Sequence, residues 1–194
     1  MMAFLLVALV LQARGSELEN DYVKVSRNRA PCAAAETPAC AERVLVALGP
    51  IELPRAGRLE RGDVRVFKKG ESYVPPPSGE YVEVAWKPSH PQVESPKERI
   101  PPEKNAVRYD GEKFFIFEEK LEPGDTRARH SHSQRVVIVL NETRLQQWPE
   151  GQAELLREQT PDTVGFNPPV IHVVKNVGAK PLRNVVIELK PARQ

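Results

Sequence analysis

The chain is predicted to be all-β, an antiparallel sandwich or barrel built from two related units. Three observations predict it. Apolar runs are short, β-branched or aromatic, and bounded by Pro, Gly, Asn or Asp; nineteen prolines punctuate the 194 residues; and the first half reappears, in order, in the second.

Val44–Leu48, Tyr81–Trp86, Phe114–Phe117, Val136–Leu140, Val170–Val174 and Val185–Leu189 are the clearest strands, each too short for a helix and closed by turn residues. The one stretch of helical composition, Gln152–Gln159, lies between Gly151 and Pro161 and reads equally well as a hairpin arm. The repeat emerges at a shift of about 92 to 103 residues. Tyr22-Val-Lys-Val falls on Phe114-Phe-Ile-Phe, and Glu42–Leu48 falls on Gln134–Leu140. Asp63, Phe67 and Val74 fall on Asp162, Phe166 and Val173, and Val82–Pro88 falls on Val185–Pro191. Any one of these matches is weak; their conserved order is the argument. Between the copies, Ser89–Asn105 carries Pro91, Pro96, Pro101 and Pro102 among charged residues, the composition of an exposed connector. The expected organisation is a leader over 1–15, a first β unit over 16–88, a connector over 89–105 and a second β unit over 106–194.

A formal charge of +2, with Lys and Arg matched throughout by Asp and Glu, leaves no basic face for nucleic acid. Ala3–Leu11 is apolar but only nine residues long, against roughly 20 for a membrane span. It has the form of the apolar region of a secretory signal, with Ala13 and Gly15 as small residues before a cut ahead of Ser16, although no Lys or Arg precedes it. Export to a periplasm or the exterior is the expectation. Cys32 and Cys40 then close a short disulfide loop if the compartment oxidises them, and are two thiols if it does not.

The protein has four histidines. His130 and His132 are two apart, which on a strand aims both imidazoles at one face. His172 lies in another apolar strand after Pro168-Pro169, where an antiparallel neighbour can present a third nitrogen; His90 starts the connector and reads as solvated. A His-x-His pair alone is weak evidence, and here its context raises it. The pair follows Pro123-Gly124-Asp125 and leads into Val136–Leu140, while His172 is followed by Asn176. Arg127 and Arg129 alternate with the histidines and are expected to point away from the cavity unless a bulge shifts the register.

Pro123-Gly124-Asp125 with His130-Ser131-His132 resembles the first motif of the cupin superfamily, and Gly165–His172 with Asn176 resembles the second. The resemblance covers the second half well and, through the repeat, the first half weakly, in the manner of a bicupin with a degenerate N-terminal half. It implies a jelly-roll barrel holding one divalent metal on His130, His132 and His172. Cupins usually add a glutamate four or five residues after the second histidine, where this chain has Val136 and Val137. Gln134, on the face of the two histidines, is the nearest substitute for a fourth ligand, although a neutral amide suits a divalent cation poorly. Val136, Phe166, Asn167 and Val170 are expected to line the pocket.

Three imidazoles suit zinc, iron, nickel or copper and leave positions open. Without a carboxylate ligand the metal keeps more of its charge, which favours hydrolytic or dioxygen chemistry if the site is loaded and makes an empty site easier to reach. In the first half the repeat places Pro38, Cys40 and Tyr73 where the second has His130, His132 and His172, so its expected role is structural. Two functions remain open: a metal-dependent enzyme acting on a small organic molecule, and a non-catalytic ligand-binding or sensory barrel, with a homodimer left open for either. No acid or base accompanies the histidines in the sequence, since Asp125 and Glu142 lie toward strand ends.

Overall fold

The structure, a computed structural model, describes residues 17–28, 41–54, 57–96 and 102–191. The leader over 1–15, Cys32, Cys40 and part of the connector lie outside the described residues. The first half contributes β1 (Leu18–Glu19), β2 (Val23–Arg27), β3 (Arg43–Ala47), β4 (Ile51–Leu53), β5 (Gly57–Leu59), β6 (Val64–Phe67) and β7 (Tyr81–Trp86). After a 3-10 turn at Pro102–Lys104 the second contributes β8 (Asn105–Asp110), β9 (Phe114–Leu121), β10 (Thr126–His132), β11 (Arg135–Val139), β12 (Thr143–Pro149), β13 (Leu155–Gln159), β14 (Val164–Asn167), β15 (Val170–Asn176) and β16 (Leu182–Leu189). The ambiguous stretch before Pro161 is thus strand, paired antiparallel with β12. Among the described residues no helix is long and apolar enough to cross a membrane.

Three layers result. Sheet β1-β2-β7-β3-β6 stacks on sheet β14-β11-β16-β9-β8, whose other face closes over sheet β10-β15-β12-β13 to form a barrel. The middle sheet is buried on both sides, which is why its strands read as unbroken apolar runs. Phe114, Ile116, Val136, Ile138, Val185, Ile187 and Leu189 meet Val23, Val25, Val44, Val46, Val82, Val84 and Trp86 of the first sheet in one core. On the opposite side of the same strands, Glu119, Arg135, Val137, Asn184 and Val186 face the barrel interior. Val136 is therefore interlayer core, a correction to its expected place in the pocket. The far face of the first sheet packs Leu45, Ala47, Phe67 and Tyr81 on Ile51 and Leu53 of the β4–β5 hairpin.

The repeat is written into the hydrogen bonds. The order β1-β2-β7-β3-β6 is that of β8-β9-β16-β11-β14. Trp86 N donates to Glu42 O at 3.0 Å as Leu189 N does to Gln134 O at 2.9 Å, and Leu48 N donates to Glu80 O as Leu140 N does to Arg183 O, both at 2.8 Å. Three matches move by one residue. Val23 sits opposite Trp86 as Phe114 sits opposite Leu189, so Val23, and not Tyr22, corresponds to Phe114. Gly62 N and Asp162 N donate alike to Ala47 O and Val139 O at 2.8 Å, and both residues have positive φ, 90° and 64°. Asp162 thus corresponds to Gly62 rather than Asp63, and Phe166 to Val66 rather than Phe67, as pairing with β3 and β11 confirms. An all-apolar run such as Phe114–Phe117 has no alternation with which to fix register, and only the pairing does so. Among the described residues the first unit has no counterpart of β10 or β15.

Part of the connector is interlayer packing as well. Val93 is buried in the shared core, and Glu94 N donates to Gln134 Oε1 at 3.0 Å. Across the same junction Tyr22 stacks on Phe166 with centroids 5.4 Å apart, and Arg61 reaches Leu140 O at 2.7 Å and Asp162 Oδ1 at 2.6 Å.

Candidate metal centre

β10 and β15 pair so that His130 lies opposite His172 and His132 opposite Val170. A bulge between Arg127 and His130 breaks the register. It turns Arg127 inward along with His130 and His132, and Arg127 is 1% exposed, in ion-pair contact with Glu119 Oε1 at 2.9 Å. The inward Arg127 is the outcome the alternation left to a bulge. Arg129 does point out, to Glu150 at 2.9 Å.

All three histidines are buried, and one nitrogen from each lies within 4.8 Å of the others. His130 Nδ1 donates to Ala128 O at 2.7 Å, and His132 Nδ1 meets Glu188 Oε1 at 2.7 Å. With both Nδ1 atoms engaged, the two Nε2 atoms face each other at 3.0 Å. With Glu188 ionised and both Nδ1 atoms donating, the two Nε2 atoms present lone pairs to each other, and their separation lets both contact one ion at about 2.1 Å. His172 Nε2 is fully buried with no hydrogen-bond partner among the described residues, a costly state that an ion would relieve. The donor set fits a first-row divalent cation.

Burial lowers all three imidazoles, His132 well below the ordinary value and His172 to about 2, so each is neutral and ready to ligate. Burial pushes the Glu188 carboxyl up to about 7. Burial also raises Glu119, but the charge of Arg127 outweighs it and holds that carboxyl below its usual range. Burial lowers Arg135 to about 10, still cationic near neutrality.

The expectation that no acid or base accompanies the histidines is corrected by Glu188 and Glu119. Both face the interior from β16 and β9. The available signal was a carboxylate set inside an otherwise apolar strand, Val185-Val-Ile-Glu-Leu189, which is tolerated only with a partner. Gln134 lies away from the histidines: its amide joins Glu94 N and Tyr22 OH at the layer junction, so it is no substitute ligand. Phe166 packs on Tyr22 in the interlayer core, while Asn167 lines the inner cavity and Val170 an outer one. Asn176 is a structural latch, accepting from Thr143 Oγ1 at 2.8 Å and donating to Leu121 O and Lys180 O, both at 2.9 Å. His90 sits edge-on to Trp86, 4.3 Å between centroids, remote from the triad.

An inner and an outer cavity border His132. The inner one, about 60 Å³, has His132, His172, Glu119, Arg135, Asn167 and Asn184 in its wall. The outer one, about 240 Å³, lies between Glu94, Ser131, Glu150 and Val170.

No family model and no curated protein matches the chain. Solved structures do. AerE from Microcystis aeruginosa is 13% identical over 88% of this chain and 88% of its own, with a TM-score of 0.54. A cupin 2 conserved barrel domain protein from Leptotrichia buccalis is 11% identical over 89% of this chain and 86% of its own, with a TM-score of 0.50. A cupin domain from Bordetella pertussis Tohama I is 24% identical over 47% of this chain and 97% of its own, with a TM-score of 0.43. The chain has the cupin fold, and the first two likenesses run through both halves.

Proposed function

We propose that this cupin-fold protein holds one divalent transition metal, zinc, iron, nickel or copper, on His130, His132 and His172, and that the barrel cavity beside it receives a small organic molecule. One observation carries the reading: His172 Nε2, buried and unpartnered, shares a site with two imidazole nitrogens 3.0 Å apart. When bound, the metal supplies a charge that polarises an oxygen of the guest or acidifies a water. The protein does the rest. The Ala128 carbonyl and Glu188 orient two ligands, Phe117 stacks beside His132 at 6.4 Å, and Leu121, Leu145, Val174 and Leu182 close the barrel floor against water.

Elemental analysis of full-length protein purified without an affinity tag is expected to give one equivalent of metal, and His132→Ala to lose it. Equal metal in the variant and the wild type refutes the assignment. Turnover of candidate substrates by the loaded protein separates the enzyme from the ligand-binding barrel.

Two further readings belong to this proposal. We read the first half as the degenerate copy of the barrel, retained for packing, because its sheet covers the middle layer. We place the protein outside the cytoplasm on the apolar Ala3–Leu11 segment, with Cys32 and Cys40 joined. N-terminal sequencing of protein recovered from the exterior is expected to begin at Ser16. Mass spectrometry after alkylation without reduction is expected to find no free thiol, and labelling of both cysteines removes the disulfide.

A further inference from the structure

The inner cavity carries a charge that the metal reading does not use. Arg135 is 8% exposed, lies on β11 and lines the cavity together with His132 and His172. Its Nη1 donates to Pro168 O at 2.7 Å and Ser133 O at 3.3 Å, both neutral acceptors. Among the described residues no carboxylate lies within ion-pair distance of it. Glu188 feels its charge but is engaged by His132, and Glu119 is engaged by Arg127. A buried guanidinium whose carboxylates, Glu188 and Glu119, act on it only from beyond ion-pair distance is costly, and a guest with a negative charge in direct contact offsets that cost.

A second guanidinium marks the way in. Arg157, on β13, lines both the inner cavity and an adjoining groove of about 270 Å³ between β13 and β14. Its Nη1 donates to Asn167 Oδ1 at 3.4 Å, and it too has no carboxylate partner among the described residues. Glu119 also lines the cavity, ion-paired to Arg127, and the remaining polar lining, Gln147, Gln159, Asn167 and Asn184, is neutral amide. Size narrows the guest further. A space of about 60 Å³ holds the volume of roughly two waters, which restricts the occupant to a molecule of a few heavy atoms.

We infer that the cavity takes a small carboxylate of roughly two carbons, ion-paired to Arg135 beside the three histidines and admitted past Arg157. The proposal deepens the metal reading and rests on it for the neighbouring ligand, although the Arg135 contact is independent of the metal. The fork of the guanidinium matches the two oxygens of a carboxylate, so charge and shape both select against the amide of the same acid.

The test titrates glycolate and its neutral amide, glycolamide, into the full-length protein by calorimetry, with zinc loaded and with metal removed. Glycolate is expected to bind at least about tenfold more tightly than glycolamide. Arg135→Gln is expected to lose that preference with metal content unchanged, Arg135→Lys to recover part of it, and Arg157→Gln to slow association more than it weakens affinity. Equal binding of the two probes, no saturation by glycolate, or an unchanged preference in Arg135→Gln overturns the proposal. The two readings fail separately. A preference for glycolate that depends on Arg135 in protein unable to hold zinc leaves the carboxylate site standing without the metal. Stoichiometric zinc with no discrimination between the probes does the reverse.

Discussion

His132 and Glu188 are 56 residues apart in sequence and 2.7 Å apart in space, joined Nδ1 to Oε1 in the barrel interior. The contact exists because β16 runs beside β11, whose chain has just turned out of β10. It fixes which imidazole nitrogen faces the cavity.

Replacing Glu188 by Leu strands the His132 Nδ1–H in a dry interior and frees the ring to turn. Zinc affinity is expected to fall by about 10- to 100-fold, while Glu188→Gln, which keeps an acceptor, stays within a few-fold of wild type. Competition against a chelator of known affinity measures both. Unchanged affinity in the Leu variant removes the orienting role.

Metal affinity should fall with acidity through a window set by Glu188. Burial pushes its carboxyl up to about 7, and its ionised form is the one that accepts from Nδ1–H and leaves Nε2 free. Below that pH, metal must displace a proton, so affinity is expected to drop by about tenfold per pH unit. Calorimetry in buffers of different ionisation enthalpy is expected to report about one proton released at pH 6 and close to none at pH 8.

Stability of the metal-free protein is also pH-linked through His172. Its folded-state pKa, about 2, lies below the unfolded value near 6.5, so its contribution is intact above pH 6.5 and is lost as pH falls. Glu188 has the opposite sign, its folded value being raised, and its contribution is lost as pH rises from about 4.5 to 7. Comparing wild type with His172→Leu isolates the first effect. Between pH 6.5 and 4.5 the wild type is expected to lose about 1.4 kcal/mol more per pH unit than the variant in urea titrations. Parallel curves would place a partner on His172.

The two halves should melt together. Phe114→Ala removes a fully buried ring at the junction of the layers and is expected to cost about 3–5 kcal/mol within a single cooperative transition. A fragment starting near Asn105 leaves Phe114, Val136 and Ile138 uncovered and is expected to aggregate or bind a hydrophobic dye. A fragment that stays soluble, monomeric and as heat-resistant as the full chain makes the halves independent.

By itself the sequence determined the β class, the internal repeat and the three histidines that converge on one site. Each of these is carried by local spacing: period-two runs between turn residues, an ordered repeat, and a His-x-His pair with a third His on a facing strand. The tertiary structure decided what lies opposite. Arg127 turns inward only because of a bulge, which residue types do not reveal. Local spacing points Gln134 and Val136 at the pocket, yet they face the first half, because a strand buried on both sides carries no polar face to mark its orientation. Glu188 and Arg135, which give the site its polarity, come from strands far apart in the chain. Their roles depend on which neighbours lie within a few ångströms in a low-dielectric interior, and only the pairing of β10, β11, β15 and β16 sets those distances.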